Sequence, residues 1–174
     1  GSDAASLSTR AQRQGEHYVL NGAKAFISGG GDTDLLVVMA RTGGEGAGGI
    51  SAFAVPADSE GISYGRKEEK MGWNSQSTRP IVFENVRVPA ANLLGEEGEG
   101  FKIAMKGLDG GRINIGTCSV GAAQGALDAA RRYMDERRQF NRRLAEFQAL
   151  QFKLADMATP VSYTHLRAHE TKAN

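Results

Sequence analysis

Residues 80–116 read PIVFENVRVPAANLLGEEGEGFKIAMKGLDGGRINIG, and the character of the chain changes inside this stretch. Before Gly100, short apolar runs are separated by glycine, proline and asparagine, which is the pattern of β-strands and turns. After Gly100, apolar residues recur every three or four positions, as in an amphipathic helix. The chain has 23 glycines, and none of them lies beyond Gly125. The sequence therefore predicts two architectures that meet near Gly95–Gly100.

The first hundred residues contain six predicted strands. Glu16–Leu20 and Ala23–Ile27 flank Asn21-Gly22, a dipeptide that favours a two-residue hairpin turn because both residues tolerate positive φ. The other four predicted strands are Leu35–Arg41, Ile50–Pro56, Ile62–Tyr64 and Pro80–Val88. Short strands with frequent turns are typical of an antiparallel sandwich or barrel, and the chain lacks the βαβ rhythm of a parallel sheet.

Two helices are predicted after the border. The first covers Phe101–Arg138, where three early glycines each weaken a helix by about 1 kcal/mol relative to alanine and indicate a kink or a close ligand. The second begins at Leu144, runs to Ala158 and stops at Pro160. Strands followed by helices place the chain in the α+β class.

Composition excludes several classes of protein. The chain has 174 residues, 40% of them hydrophobic and 24% charged, as in ordinary globular domains. Its net charge of +1 argues against a dedicated nucleic-acid-binding protein, and no apolar run is long enough to span a membrane. The single Cys118 excludes an internal disulfide, and three histidines without an HExxH motif argue against a metal enzyme.

Both ends of the chain are expected to be interrupted. The chain starts at Gly1 without an initiator methionine. Residues 161–171, VSYTHLRAHET, resemble the in-frame translation of a sequencing adapter, so residues 160–174 are expected to be a non-native tail. His165 and His169 lie in this tail and receive no functional role.

Five strings then occur in one order along the chain. They are GSD at 1–3, NGAKAFISGGG at 21–31, KEEKMGWNSQSTRPIVFENVRVP at 67–89, GEGFKIAMKGLDGGRINIG at 98–116 and ERRQF at 136–140. Together they resemble the acyl-CoA dehydrogenase family of flavoenzymes over about residues 1–159. The strings GWNSQ-x-TR, LxGGRINI and LQFxLADMAT resemble family members that act on isobutyryl-CoA, a short branched-chain substrate of valine breakdown.

The resemblance implies a fold and an activity. Residues 1–97 match the middle β domain, and residues 98–159 match the first helices of an antiparallel C-terminal bundle. The family oxidises an acyl-CoA thioester to its 2,3-enoyl form: a carboxylate removes the α-proton and the β-hydrogen leaves as a hydride to FAD. This chemistry requires a dry slot that aligns base, acyl chain and flavin.

Three residues of the second string are implied to bind the flavin. The family usually has a tryptophan at the position of Phe26, packed on the flavin ring, and a threonine or serine at that of Ser28, hydrogen-bonded to its edge. Ile27 lies between them. Without the resemblance, Phe26 reads as a core residue of a strand. Phenylalanine keeps the apolar face but lacks the indole N–H.

Further positions are implied to bind the substrate. Ser2 matches a serine that contacts substrate or flavin, while Asp109 and Arg112 match contacts to the CoA portion, with Gly110 and Gly111 between them. Without the resemblance, Asp109 and Arg112 read as an i,i+3 surface pair. Some members carry their catalytic glutamate at the position of Gly111, so the base here is expected in a C-terminal part outside these residues.

A cluster of arginines follows the first helix. Taken alone, this cluster reads as a solvated helix face. By resemblance Arg137 binds the pyrophosphate of FAD held by a neighbouring subunit, because a guanidinium fork suits phosphate oxygens. The residues implied to accompany it in contacting the flavin are Arg138, Gln139, Phe140, Phe147 and Gln148. This role implies a homo-oligomer, a dimer or a tetramer.

The sequence is compatible with several alternatives. The family commonly passes electrons to an electron-transfer flavoprotein, and its members lie in the bacterial cytoplasm or the mitochondrial matrix. A related dehydrogenase or oxidase of another chain specificity has similar motifs. A fragment without a base is also compatible with a non-catalytic β module that binds acyl-CoA or protein.

Overall fold

The computed structural model describes residues 3–170, with side chains as far as Tyr163. The chain divides into two compact units, one ending at Gly107 and the other beginning at Leu108. The first unit is built on a sheet and the second on helices. The predicted α+β class is therefore confirmed. In the described residues, no helix is long and apolar enough to cross a membrane.

Seven strands form the sheet of the first unit. They are β1 (Arg10–Gln14), β2 (His17–Ser28), β3 (Leu35–Arg41), β4 (Ile50–Pro56), β5 (Ile62–Tyr64), β6 (Thr78–Pro89) and β7 (Leu93–Leu94). Their order across the sheet is β5-β6-β2-β1-β3-β4-β7. Neighbouring strands are antiparallel, except that β1 and β3 meet in parallel at Arg10 and Arg41.

The predicted limits of β3, β4 and β5 are confirmed. Strands β4 and β6 end at Pro56 and Pro89 because proline has no N–H to continue a ladder.

The hairpin predicted at Asn21-Gly22 is wrong, because β2 continues through both residues, with a shift of its register against β6 between Leu20 and Gly22. The two-residue turn lies instead at Gly15-Glu16, where Gln14 pairs with His17 and Gly15 has φ +63°. Gly22 has φ +141°, and a Cβ there would lie 2.8 Å from the Cα of Thr9. Its glycine therefore serves a close approach of two backbones.

The first unit has one continuous hydrophobic core, and β4 is buried at the consecutive residues 50–53, so that both of its faces are covered. Tyr18 and Phe53 are fully buried and meet edge to face, with ring centroids 4.9 Å apart. The Tyr18 hydroxyl donates a hydrogen bond to the Glu97 carboxylate. The other large, fully buried apolar side chains are Leu20, Ile50, Val55, Ile81, Phe83, Val86 and Val88. Alternating burial along β3 and β6 shows the period of two expected for strands with one covered face.

Two helices and a short hairpin make up the rest of the chain. Helix α1 (Gly100–Glu136) is unbroken through its glycines and lies close to its predicted limits. Strands β8 (Arg138–Gln139) and β9 (Arg142–Arg143) follow, and then a 3-10 turn over Leu144–Glu146. In the second unit, no side chain of residues 108–163 is fully buried.

Helix α2 (Gln148–Glu170) contains Pro160, so the prediction that this helix stops at the proline is wrong. A proline inside a helix removes one N–H···O=C bond, but the residues on either side keep theirs and the helix continues. The interpretation of residues 160–174 as a non-native tail stays a prediction.

Candidate functional site

The end of β2 carries a bulge that presents an aromatic ring. The register against β6 shifts between Lys24 and Ile27, so that one extra residue is inserted on β2. Phe26 has φ +56°, a left-handed conformation that is rare for a bulky residue, and its side chain is 73% exposed. The reading of Phe26 as a core residue is therefore wrong.

The residues after the bulge differ in their surroundings. Ile27 is half-buried and packs against the core. Ser28 is exposed, and its hydroxyl has no hydrogen-bond partner among the described residues. An exposed ring and a free hydroxyl two positions apart can meet a flat, polar-edged ligand. This segment therefore fits a flavin, which has an apolar face and a hydrogen-bonding edge.

A buried serine holds the turn that follows this segment. Ser77 is fully buried, and its hydroxyl donates to the Gly30 carbonyl at 2.8 Å. Its carbonyl accepts the Gly29 N–H at 2.8 Å, and its own N–H donates to the Asp32 carboxylate at 3.2 Å. Hydrogen bonding to Asp32 from the Ser77 side chain, and then from the Ser77 backbone N–H, lowers the pKa of Asp32. Ser77 and Asp32 were not singled out from the sequence, since 45 positions separate them.

Gly110 and Gly111 of α1 lie in open space. A Cβ built on Gly110 or Gly111 would meet no other protein atom within 4 Å. Beside them, Asp109 and Arg112 form an exposed ion pair at 3.0 Å. The surface-pair interpretation is thus confirmed as a contact, and it leaves four of the five Arg112 N–H donors available to a ligand. The helix surface here has both the room and the donors that a polar ligand needs.

The hairpin after α1 presents three uncommitted polar side chains. Arg137, Arg138 and Gln139 are exposed and make no side-chain hydrogen bond or ion pair to any described residue. The turn between them and Arg142 is Phe140-Asn141, and both residues have positive φ, 52° and 59°. Such a pair of angles is that of a type I′ turn. The strained turn holds Phe140 88% exposed.

Neighbouring contacts fix this hairpin on the start of α2. The ring of Phe147 lies 6.5 Å from that of Phe140 and 5.3 Å below the Arg142 guanidinium. The Glu146 carboxylate accepts the Arg143 N–H at 3.1 Å and binds the Arg143 and Arg142 side chains. The backbone bond from Arg143 is the main cause that lowers the pKa of Glu146. Glu146 was not singled out from the sequence.

The residues implied to bind ligands fall into separate groups. Phe26, Ile27 and Ser28 are consecutive in the first unit, whereas the others belong to the second. Arg112 lies in the first half of α1 and Arg137 directly follows its last residue, roughly 37 Å further along at 1.5 Å per residue. Gln148 is exposed at the first residue of α2. Ser2 lies outside the described residues.

Comparisons with known proteins cover nearly the whole chain. Residues 1–86 match the acyl-CoA dehydrogenase middle domain and residues 98–172 match the C-terminal domain. The chain is 56% identical to the mitochondrial isobutyryl-CoA dehydrogenase of Dictyostelium discoideum, over 99% of this chain and 42% of that protein. The protein of the same name from Bos taurus is 59% identical, over 91% of this chain and 38% of its own length.

A solved structure shows the same fold. Butyryl-CoA dehydrogenase from Megasphaera elsdenii superposes with a TM-score of 0.93 and 43% identity, over 98% of this chain and 45% of that one. The chain thus spans less than half the length of the relatives it matches. Two models of one family match consecutive parts of the chain and a solved member of it has the same fold, so the chain belongs to the acyl-CoA dehydrogenase family.

Proposed function

We propose that this chain is part of an FAD-dependent acyl-CoA dehydrogenase whose substrate is a short branched-chain acyl-CoA such as isobutyryl-CoA. The observation that carries the proposal is the bulge at the end of β2, where a left-handed Phe26 is held in solvent beside the free hydroxyl of Ser28. The left-handed backbone of Phe26 and the exposure of its ring both lower the free energy of unfolding, and backbone strain of this kind is typical of ligand sites.

Members of the family are FAD-dependent, and the residues of this chain fit that group. Phe26 offers an apolar face to the flavin ring and Ser28 a hydroxyl to its edge, while Ile27 supports the strand from the core side. Bound FAD supplies the hydride acceptor of the oxidation. The hydrogen bonds of Ser77 fix the backbone at Gly29, Gly30 and Asp32, directly after this segment, and we expect this order to lower the entropic cost of binding.

On α1, Arg112 would bind the CoA portion through its free N–H donors, with Asp109 orienting the guanidinium. The bare surface at Gly110 and Gly111 would leave room for the thioester and a branched acyl chain. Gly111 has no side chain that removes a proton. We therefore place the catalytic carboxylate in a part of the enzyme beyond these residues.

The hairpin of β8 and β9, with Arg137 before it, would bind a second FAD. Arg137, Arg138 and Gln139 present uncommitted donors suited to a pyrophosphate, and Phe140, Phe147 and Gln148 lie beside them. The separation of this group from Asp109–Arg112 along α1 supports a role toward the FAD of a neighbouring subunit. The working enzyme is then at least a dimer, and a tetramer doubles the same arrangement.

The electron acceptor we propose is an electron-transfer flavoprotein, because family members work with such partners. The compartment would be the cytoplasm in a bacterium and the mitochondrial matrix in a eukaryote; the Dictyostelium and Bos relatives are named as mitochondrial proteins.

Flavin retention tests the proposal. The chain is purified with added FAD, freed of excess cofactor and examined for the visible absorbance of bound flavin. We expect Phe26→Ala to reduce the retained flavin at least about fivefold, equivalent to about 1 kcal/mol of lost aromatic contact. Phe26→Trp should retain it, and Phe152→Ala removes an exposed ring elsewhere as the matched control. Equal retention by Phe26→Ala and the unaltered chain would contradict the proposed role.

A further inference from the structure

A lysine lies in an apolar cavity of the first unit. The cavity has a volume of about 220 Å³ and is lined by residues of β2, β3, β4 and β6, the N-terminal segment and the first turns of α1. Ile27, Ile81, Phe83 and Phe101 are among its lining residues. Lys24 is the single ionisable side chain that lines it among the residues the structure describes.

The Lys24 ammonium has one polar contact. Its Nζ donates a hydrogen bond to the Met39 carbonyl at 2.6 Å. Within residues 3–163, no carboxylate lies within ion-pair distance of it. The Lys24 side chain is partly buried. Loss of water around it destabilises the charged ammonium more than the neutral amine, which lowers the pKa of Lys24 to about 8. Near pH 8 about half of the Lys24 side chains therefore carry a neutral, nucleophilic amine.

The cavity suits a short acyl group. Dry apolar cavities of about 150 Å³ bind benzene, so this one has room for a four-carbon chain. An acyl group joined to Lys24 would replace a desolvated charge by a neutral amide. That amide keeps one N–H, which can still donate to the Met39 carbonyl.

We propose that Lys24 is a site of covalent acylation by short-chain acyl-CoA thioesters. The inference rests on the proposed function for the presence of acyl-CoA at this protein. The Lys24 Nζ attacks the thioester carbonyl carbon, a C–N bond forms and the C–S bond breaks. The proton lost by nitrogen passes to the departing CoA thiolate, so the products are an acyl-lysine and CoA thiol. No oxidant or reductant takes part.

The reaction is followed by mass spectrometry of the whole chain incubated with isobutyryl-CoA at pH 8. Lys102, an exposed lysine of the same unit, is the internal reference. We expect Lys24 to be acylated at least about tenfold faster, since a pKa of 8 gives about 100-fold more free amine at this pH than the ordinary value of 10.5. From pH 8 to 9.5 the Lys24 rate should rise about twofold and level off, whereas a lysine at the ordinary value gains about 30-fold.

Two variants separate the amine from the cavity. Lys24→Arg removes the nucleophile and should abolish the modified peptide. Ala104→Leu narrows the cavity from α1 without touching the amine and should slow Lys24 at least fivefold while Lys102 is unchanged. Equal rates at Lys24 and Lys102 in the unaltered chain, or no effect of Ala104→Leu on Lys24, would overturn the inference.

A second donor and a second readout make failures distinguishable. The isobutyryl thioester of N-acetylcysteamine carries the same acyl group without the nucleotide. Faster acylation of Lys24 than of Lys102 by both thioesters supports the inference. If only the small thioester acylates Lys24 faster than Lys102, acyl-CoA is not the donor. Flavin retention, measured on a portion of each sample before the thioester is added, reports on the proposed function: a chain that retains no flavin but is later acylated at Lys24 contradicts that function alone. Retained flavin with Lys24 unmodified contradicts this inference alone.

Discussion

The two units of this chain use apolar residues in opposite ways. In the sheet unit, Tyr18, Phe53 and Phe83 are fully buried within one continuous cluster. In the helical unit, large apolar side chains stay exposed along both helices, among them Leu108, Ile113, Ile115, Tyr133, Phe152 and Met157. One unit therefore buries its own core, while the other displays an apolar surface.

This difference separates stability from assembly. Burial of one large apolar side chain contributes about 1.5–3 kcal/mol, so the sheet unit has its own source of stability. Helices gain most of their stability by packing an amphipathic face, and those of the second unit show such faces uncovered in the described chain. Substitutions of buried residues in the sheet unit should therefore change folding, whereas substitutions of exposed residues on the helices should leave the stability of the sheet unit unchanged.

The largest expected effect is at Gly22. Gly22→Ala places a Cβ at 2.8 Å from the Thr9 Cα in a left-handed backbone, so the sheet must shift. We expect the free energy of unfolding to fall by about 3 kcal/mol, measured by urea denaturation. Gly44→Ala, where a Cβ meets nothing within 4 Å, should be nearly neutral. Equal midpoints for the two variants would contradict this account of β2.

A smaller effect is expected at Ser77, the buried serine that holds the turn after Phe26–Ser28. Ser77→Ala removes the donor to the Gly30 carbonyl and leaves that buried group without its partner. The expected loss is about 2 kcal/mol in the free energy of unfolding. Ser75→Ala, an exposed serine in the same loop, is the control and should change it by less than about 0.5 kcal/mol. A Ser77 variant as stable as the control would show that this hydrogen bond is dispensable.

Lys24 should make stability depend on pH. The pKa of Lys24 is about 8 in the folded chain and near 10.5 when unfolded, so between these values the unfolded chain binds more protons. The free energy of unfolding should then rise from pH 8 to pH 10.5, by about 1–2 kcal/mol after allowance for partial solvation. The comparison is with Lys24→Met across the same range. If the free energy of unfolding of Lys24→Met rose with pH as much as that of the unaltered chain, the pH dependence would not come from Lys24.

The smallest effect on folding is expected on α1. Arg112→Ala removes one exposed ion pair and should cost only a few tenths of a kcal/mol in the free energy of unfolding. In the full-length enzyme the same change should raise KM for isobutyryl-CoA about tenfold, because a charge-assisted contact to CoA is lost. Unchanged KM would show that Arg112 is a surface residue without a substrate role.

Gly111→Leu extends this test to the acyl chain. The Cβ of residue 111 meets no protein atom, so stability should hold in thermal melts. Turnover of isobutyryl-CoA by the full-length enzyme should fall if the bare surface leaves room for the branched chain. Unaltered kinetics would contradict that use of the glycine.

The sequence predicted the features that depend on local pattern. Strands β3 and β4 are apolar runs ended by turn residues, and α1 has a clear helical period, so their limits needed no distant contacts. The prediction of a hairpin at Asn21-Gly22 was wrong because Gly22 is required by the close approach of the Thr9 backbone. That contact is distant in sequence, so local turn preferences do not reveal it.

Site features that depend on distant contacts were not predictable. The pairing of β2 with β6 produces two of these features. It brings the Ser77 N–H to the Asp32 carboxylate, and its register shift accompanies the positive φ of Phe26. The resemblance named Phe26 and Ser28 from the string around them, but the bulge that exposes the ring required the register of two strands.

Hydrogen exchange with and without FAD tests the central claim most directly. The account predicts that saturating FAD slows the amides of residues 26–33, which follow the bulge, and leaves strands β3 and β4 unchanged. It also predicts faster exchange without FAD in residues 108–163 than in the buried strands, because the helices have no fully buried side chain. Unchanged exchange at residues 26–33 under saturating FAD would contradict the assignment of this segment to the flavin.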